Sequence, residues 1–249
     1  DGDVLVYSLA WVYDKNSGIS LERLIRTKLA NISRTLGISK GRLLLSGSVP
    51  KEQTYRYNIA TLQPYKGNRS NKDKPQSFDR VKNMLLSFNA QVIEDELEVD
   101  DYLAIEQGKA PKDIVICSID KDLKMIPGYH YNWVTDTATF ISPLEGYYNF
   151  CKQLLTGDRI DNIKGLSEKK PLRGIGDKTA HSLLSSCSSY SSMFQEVLKQ
   201  YHLHYSDSFV YPHWLTQQLI TSNAESILLE TGRLLWIRRH PQDVWCPPF

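Results

Sequence analysis

The stretch IVICSI, Ile114 to Ile119, constrains this chain more than any other. It is β-rich and almost wholly apolar, and it follows a turn-forming Lys-Ala-Pro-Lys sequence. A half-exposed strand alternates apolar and polar residues. A continuous run of this kind fits a strand covered on both faces, as in a parallel sheet flanked by helices. Asp120 and Asp122 follow directly. Ligands of open α/β sheets collect beyond the carboxyl ends of the strands, and two carboxylates one residue apart there can both face a hard cation. A D-x-D pair standing alone is more simply a solvated turn.

The neighbouring sequence supports an α/β domain. Residues 4–13 alternate apolar character loosely. Leu21, Leu24, Ile25, Leu29, Ile32 and Leu36 recur at helical spacing, and Gly37 reads as that helix's stop. Arg42 to Leu45 suits a short buried strand. Residues 50–77 are polar, basic and aromatic, with Pro50, Pro64 and Pro75, and read as an exposed excursion. Phe78 to Phe88 returns to helical spacing, Val92 and Ile93 suggest a brief strand, and Asp100 to Gln107 a helix. Tyr131–Val134 and Thr139–Ile141 pair as a candidate hairpin. Beyond about residue 146 the patterns are helical, with glycine-rich and serine-rich joints at 165–176 and 185–192.

With 249 residues, 41% hydrophobic and 23% charged, the chain has the make-up of a soluble enzyme of one large or two modest domains. No apolar run is long enough to span a bilayer, and no signal pattern opens the chain, so a cytoplasmic protein without membrane partners is expected. Four dispersed cysteines read as reduced thiols, and six histidines form no metal-binding set. The net charge of +2 is uninformative, but its distribution is not. Between Lys66 and Lys82 six bases (Lys66, Arg69, Lys72, Lys74, Arg80, Lys82) face two acids, whereas Glu94 to Asp101 holds six acids in eight positions. A polyanion-binding arm followed by a cation-binding cluster is the order this suggests.

Further carboxylates form short groups. Glu98, Asp100 and Asp101 open a helix, where the helix dipole favours acids whatever the function, yet three in four residues repel unless neutralised. Asp158 and Asp161, in TGDRIDNIKG, are adjacent on any helical turn, and Asp1 begins the chain in DGD. Scattered carboxylates of this type hold magnesium in phosphate chemistry, where two neighbouring ions activate water and stabilise the departing oxygen. Gly174-Ile-Gly176 opens a helix whose backbone amides can approach a phosphate, with Lys178 adding charge. Alone, that signal is usually just a turn.

The order DGD, YKGNR, ELEVDD, SIDKD, GDRIDNIKG, GIGDKTA resembles the 5′-nuclease superfamily, and within it the bacteriophage 5′→3′ exonucleases and flap endonucleases, those of short-tailed phages above all. The likeness covers about residues 1–184. It implies a PIN-like central, mainly parallel sheet with flanking helices and a helical arch, then a helix–turn–helix-type DNA-binding region. Residues 1–145 would be the catalytic domain, with the arch at about 50–90, and 146–249 the mostly helical remainder. The implied activity is metal-dependent hydrolysis of phosphodiesters at 5′ ends, flaps or RNA primers of duplex DNA, leaving 5′-phosphates, in phage DNA replication.

Two Mg2+ or Mn2+ ions are implied, held by Asp1, Glu98, Asp100, Asp101, Asp120, Asp122, Asp158 and Asp161, with K+ near 165–176. Lys66 and Arg69 would meet the scissile phosphate, the first as a point charge and the second as a forked donor. Tyr65 would stack on a base, and Lys72, Lys74, Gly174, Gly176, Lys178 and Thr179 would contact DNA. The bland reading of the basic stretch is a loop that only raises nonspecific affinity.

One departure stands out. The family has an aspartate after its second strand, where this chain reads LLLSGSVP and Gly47 or a neighbouring serine takes the place. A non-catalytic or weakly active DNA-binding protein of the same fold is therefore the competing expectation. A PIN-type ribonuclease is a third, disfavoured by GIGDKTA, a duplex-gripping element such enzymes generally lack.

Overall fold

A computed structural model describes residues 1–16, 18–69, 74–166 and 174–248. The helical spacing after Ser20 becomes α2, Leu21–Leu36, with Leu21, Ile25 and Ile32 buried. Ser20 caps its start by accepting from the Arg23 amide, and Gly37 ends it in the left-handed region (φ 63°). The loose alternation of residues 4–13 resolves into a second helix, α1, Gly2–Lys15, capped by the Asp1 carboxylate. The two pack with α4, Phe78–Ser87, around Leu5, Val6, Leu9, Ile25, Val81 and Leu85.

The strands that position the acids pair in parallel, in two separate sheets. β1, Leu44–Ser46, pairs in parallel with β2, Gln91–Ile93. β3, Val115–Cys117, pairs in parallel with β4, Gly128–Asn132, and β4 in antiparallel with β5, Thr137–Ile141, which forms the expected hairpin. The ladder of β3 is shorter than the six-residue run, and Ile119 is 38% exposed. Gly47 hydrogen-bonds to the Ile93 carbonyl at 2.8 Å, and a Cβ there would lie 2.6 Å from that oxygen. The glycine thus permits close passage of the chain past β2.

Residues 50–77 are not simply an exposed excursion. Their described part contains α3, Tyr55–Ile59, packed on α9, Ala224–Leu235, and it buries Arg56, Ala60 and Tyr65. Aromatic and small residues in this stretch have core partners distant in sequence, which local polarity conceals. α5, Val99–Lys109, packs against β1 and β3.

The later chain forms α6, Pro143–Thr156, a short β6–β7 ladder (Gly157–Asp158 with Ile163–Lys164), α7, Asp177–Leu184, and α8, Tyr190–His204. An antiparallel hairpin follows, β8, Phe209–Pro212, with β9, Leu219–Ser222. It is the strand element within the expected mostly helical region, and its residues alternate in burial along each strand. One core cluster draws residues from Ala60, Ile116 and Met125 together with Phe150, Phe194, Leu228 and Trp245. That core therefore crosses the expected 145/146 boundary. All four cysteines are free thiols. Among the described residues no helix is long and apolar enough to cross a membrane.

Candidate functional site

A cavity of about 510 Å3 opens where α1, the ends of β1 and β3, and the start of α5 meet. Asp1, Asp3, Glu98, Asp100 and Asp120 line it, and Lys66 and Arg69 face them. Each acid is delivered by local structure. Asp1 caps α1 through the Val4 amide and accepts from the Ser118 hydroxyl just beyond β3, while its amine donates to the Cys117 carbonyl at 3.1 Å. Asp3, in the first turn of α1, accepts from the Ser46 amide at 3.0 Å and from its hydroxyl. Glu98 and Asp100 sit at the N-terminus of α5, and Asp120 follows β3.

The basic stretch closes over these acids. Lys66, in the left-handed region (φ 54°), reaches Glu98 at 2.6 Å and lies 3.8 Å from Asp161. Its amide also donates to the Asp161 carbonyl at 2.8 Å. Arg69 pairs with the Asp161 carboxylate. Burial opposes ionisation of Glu98, but Lys66 and Arg56 outweigh it and hold its carboxyl at about 2. Asp100 has the opposite fate. Burial first, then Asp120 and Glu98, push it up to about 8.

Asp122, Asp158 and Asp161 face a second, small crevice of about 20 Å3 that shares Glu98 and Asp100 with the cavity. Burial, a hydrogen bond with Asp158 and the charge of Asp120 raise the Asp122 carboxyl. Lys121 stands 3.8 Å from Asp158, and Gln153 donates to Asp122.

Two assignments need correction. Asp101 is fully buried, its oxygens taking two 2.8 Å bonds from Arg56 and one from the Arg238 amide, so it has no face toward the cavity. It is a structural anion, not a cation ligand. Tyr65 is 6% exposed and offers no surface for a base. Its phenol lies 3.0 Å from Glu98 and 2.9 Å from Asp161, with one proton to share between them.

A groove of about 930 Å3 runs beside the cavity, lined by Asn68, Lys121, the β6–β7 turn, Gly174 and Gly176. Lys178 and Thr179 are exposed on the first turn of α7, where Asp177 pairs with Lys152 at 3.1 Å. Lys74 is exposed and pairs with Asp79 at 3.0 Å. Lys72 lies outside the described residues, as does 167–173 within the expected K+ region. Sequence reasoning passed over Asp3, although it stands two residues from Asp1, and Arg56, for which no local signal exists.

Among the described residues no three His, Cys, Asp or Glu side chains converge on one point as a finished metal cage does. By chemistry the cavity's acids nonetheless fit a hard divalent cation. They are all carboxylate oxygens, the type magnesium and manganese take, and Asp100 raised to about 8 marks a place where positive charge is stabilising.

No family model matches the chain, and no curated protein does. Solved structures do. A bacteriophage T5 protein co-crystallised with metal ions aligns with TM-score 0.62 at 14% identity, covering 94% of this chain and 87% of that one. The bacteriophage T5 flap endonuclease, in a pseudo-enzyme–product complex with DNA and metal ions, aligns with TM-score 0.55 at 14% identity over 82% and 86%. A mutant T5 5′-exonuclease aligns with TM-score 0.53 at 14% identity over 94% and 82%. The chain has the fold of these phage 5′ nucleases.

Proposed function

We propose that this chain, folded like the phage T5 5′-exonuclease, is a divalent-metal-dependent 5′ nuclease. It acts as a 5′→3′ exonuclease or structure-specific flap endonuclease on 5′ ends, flaps or RNA primers of duplex DNA, leaving 5′-phosphates, and serves phage DNA replication. One observation carries this reading: a single cavity gathers Asp1, Glu98, Asp100 and Asp120 opposite Lys66 and Arg69. Four acids facing two cations in a cleft suit a polyanion whose backbone is cut beside a metal.

In this reading Asp1, Glu98, Asp100 and Asp120 hold the first Mg2+ or Mn2+ ion, and Asp122, Asp158 and Asp161 serve the second. Bound divalent ions supply an activated water and stabilisation of the departing oxygen. Lys66 provides a point charge and Arg69 a forked donor to the phosphate. Both are paired with carboxylates, so an entering phosphate competes for them and draws them off the acids. Asp122, raised by burial, must give up its proton to act as a ligand. Gly174, Gly176, Lys178 and Thr179 grip the duplex backbone beside the groove, with Lys72 and Lys74 adding charge and K+ sitting near 165–176.

A non-catalytic DNA-binding protein of this fold is the second reading. It is favoured by Gly47, which has no room for the side chain of the family's aspartate. Incubation with 5′-labelled flap and duplex DNA, in Mg2+ and then in chelator, separates the two. Mg2+-dependent cleavage supports the nuclease, and intact protein that binds DNA without cutting it supports the alternative.

A further inference from the structure

The strands beneath the cavity do not supply its acids evenly. Asp120 follows β3, but β1 ends at Ser46 and runs into Gly47, which has no side chain. That end of the cavity receives its charge from α1 instead. The helix starts pressed against β1: a Cβ on Gly2 would lie 2.2 Å from the Leu44 carbonyl oxygen, so glycine is what allows the approach. The contact brings Asp3, in the first turn of α1, to the strand end. There one carboxylate oxygen accepts from the Ser46 amide at 3.0 Å and the other from the Ser46 hydroxyl.

Ser46 takes one acceptor direction on each oxygen and leaves the others open. Asp3 lines the cavity with Asp1, Asp100 and Asp120. Among the described residues it has no ion-pair partner, whereas Lys66 holds Glu98 and Arg69 holds Asp161. The Lys82 ammonium, which comes as near as Ser46, donates to that residue's carbonyl at 2.6 Å. The helix dipole favours an acid in a first turn, but bonding to Ser46 requires no charge, and an asparagine would serve. A carboxylate pinned through both oxygens at the cavity wall, with no cation of its own, is a preorganised donor of the kind magnesium and manganese take. We propose that Asp3 is a ligand, direct or through water, of the divalent cation assigned to Asp1, Glu98, Asp100 and Asp120, and that it stands in for the acid β1 lacks at Gly47, which rests on the metal-dependent nuclease reading of this cavity.

The test is calorimetric titration of the metal-free protein with MnCl2. Asp3→Asn is close in shape and can still accept from the Ser46 amide. It is expected to weaken Mn2+ binding about 10-fold, and Asp3→Ser, a second uncharged replacement, to do the same. Ser46→Ala breaks the hydroxyl contact but keeps the charge, and should bind Mn2+ nearly as the parent does. Parent-like Mn2+ binding in the folded Asp3 variants, equal losses in Asp3→Asn and Ser46→Ala, or no Mn2+ binding by the parent protein overturns the proposal. A role confined to fastening α1 onto β1 gives one of the first two results. Cleavage of 5′-labelled flap DNA is scored separately in Mg2+. Asp3-dependent Mn2+ binding without any cleavage sinks the nuclease reading and leaves Asp3 a ligand, whereas cleavage with Asp3-independent Mn2+ binding does the reverse.

Discussion

The ammonium of Lys66 rests 2.6 Å from Glu98 Oε1, so a residue offered to the phosphate neutralises a residue offered to the metal. The two roles compete. Lys66→Ala is expected to tighten Mn2+ binding several-fold by calorimetry, because Glu98 loses its resident cation. Flap cleavage should fall on the order of 100-fold, the usual cost of one lost charge-stabilising donor. Weaker Mn2+ binding in the variant would show that Glu98 is no ligand.

Asp120→Ala should abolish cleavage while leaving salt-dependent duplex binding within about twofold, since phosphate contacts by basic side chains dominate affinity. Single-turnover cleavage alongside a filter-binding titration reads both. If parent and variant cut equally, the cavity is not the reaction centre.

Asp100 and Glu98 load stability with opposite pH dependence. The Asp100 carboxyl is raised to about 8, so between about pH 4 and 8 the folded protein holds a proton the unfolded chain releases, and stability falls as pH rises across that window. Glu98, held at about 2, contributes stability present above its ordinary value and lost as pH falls toward 2. Asp100→Asn should therefore stabilise the metal-free protein at pH 8, on the order of 1–2 kcal/mol, and change little at pH 4. Urea midpoints at the two values check it.

Arg56 and Asp101 are both buried and joined by two 2.8 Å bonds. Removing one partner strands the other's charge, so Arg56→Ala or Asp101→Asn should each cost about 3–5 kcal/mol. The double replacement should cost less than the sum, which a double-mutant cycle by urea unfolding measures.

Gly47→Ala places a Cβ 2.6 Å from the Ile93 carbonyl. The clash is with backbone, so a loss of about 1–3 kcal/mol is expected, and Gly47→Asp should not increase Mn2+ binding. A Gly47→Asp protein that folds normally and gains an ion would show that the strand end can yield.

The legible parts were those whose cause is local. Helical spacing and a terminal glycine identify α2, and Asp120 is marked by the strand before it. Asp101 looked identical to Asp100 in sequence, but their environments differ through Arg56 and Arg238, 45 and 137 residues away. Tyr65 is obscure for the same reason: its neighbours Glu98 and Asp161 are invisible from YKGNR. The β8–β9 hairpin is hard to see because its two four-residue strands lie within a region of helical patterns.

The Arg56 guanidinium also donates to the Leu234 and Trp236 carbonyls, while the Arg238 amide holds Asp101. Residues 234–238 are thereby the footing on which the start of α5 stands. A lesion near residue 236 would register in an activity screen as though it had struck the catalytic cleft.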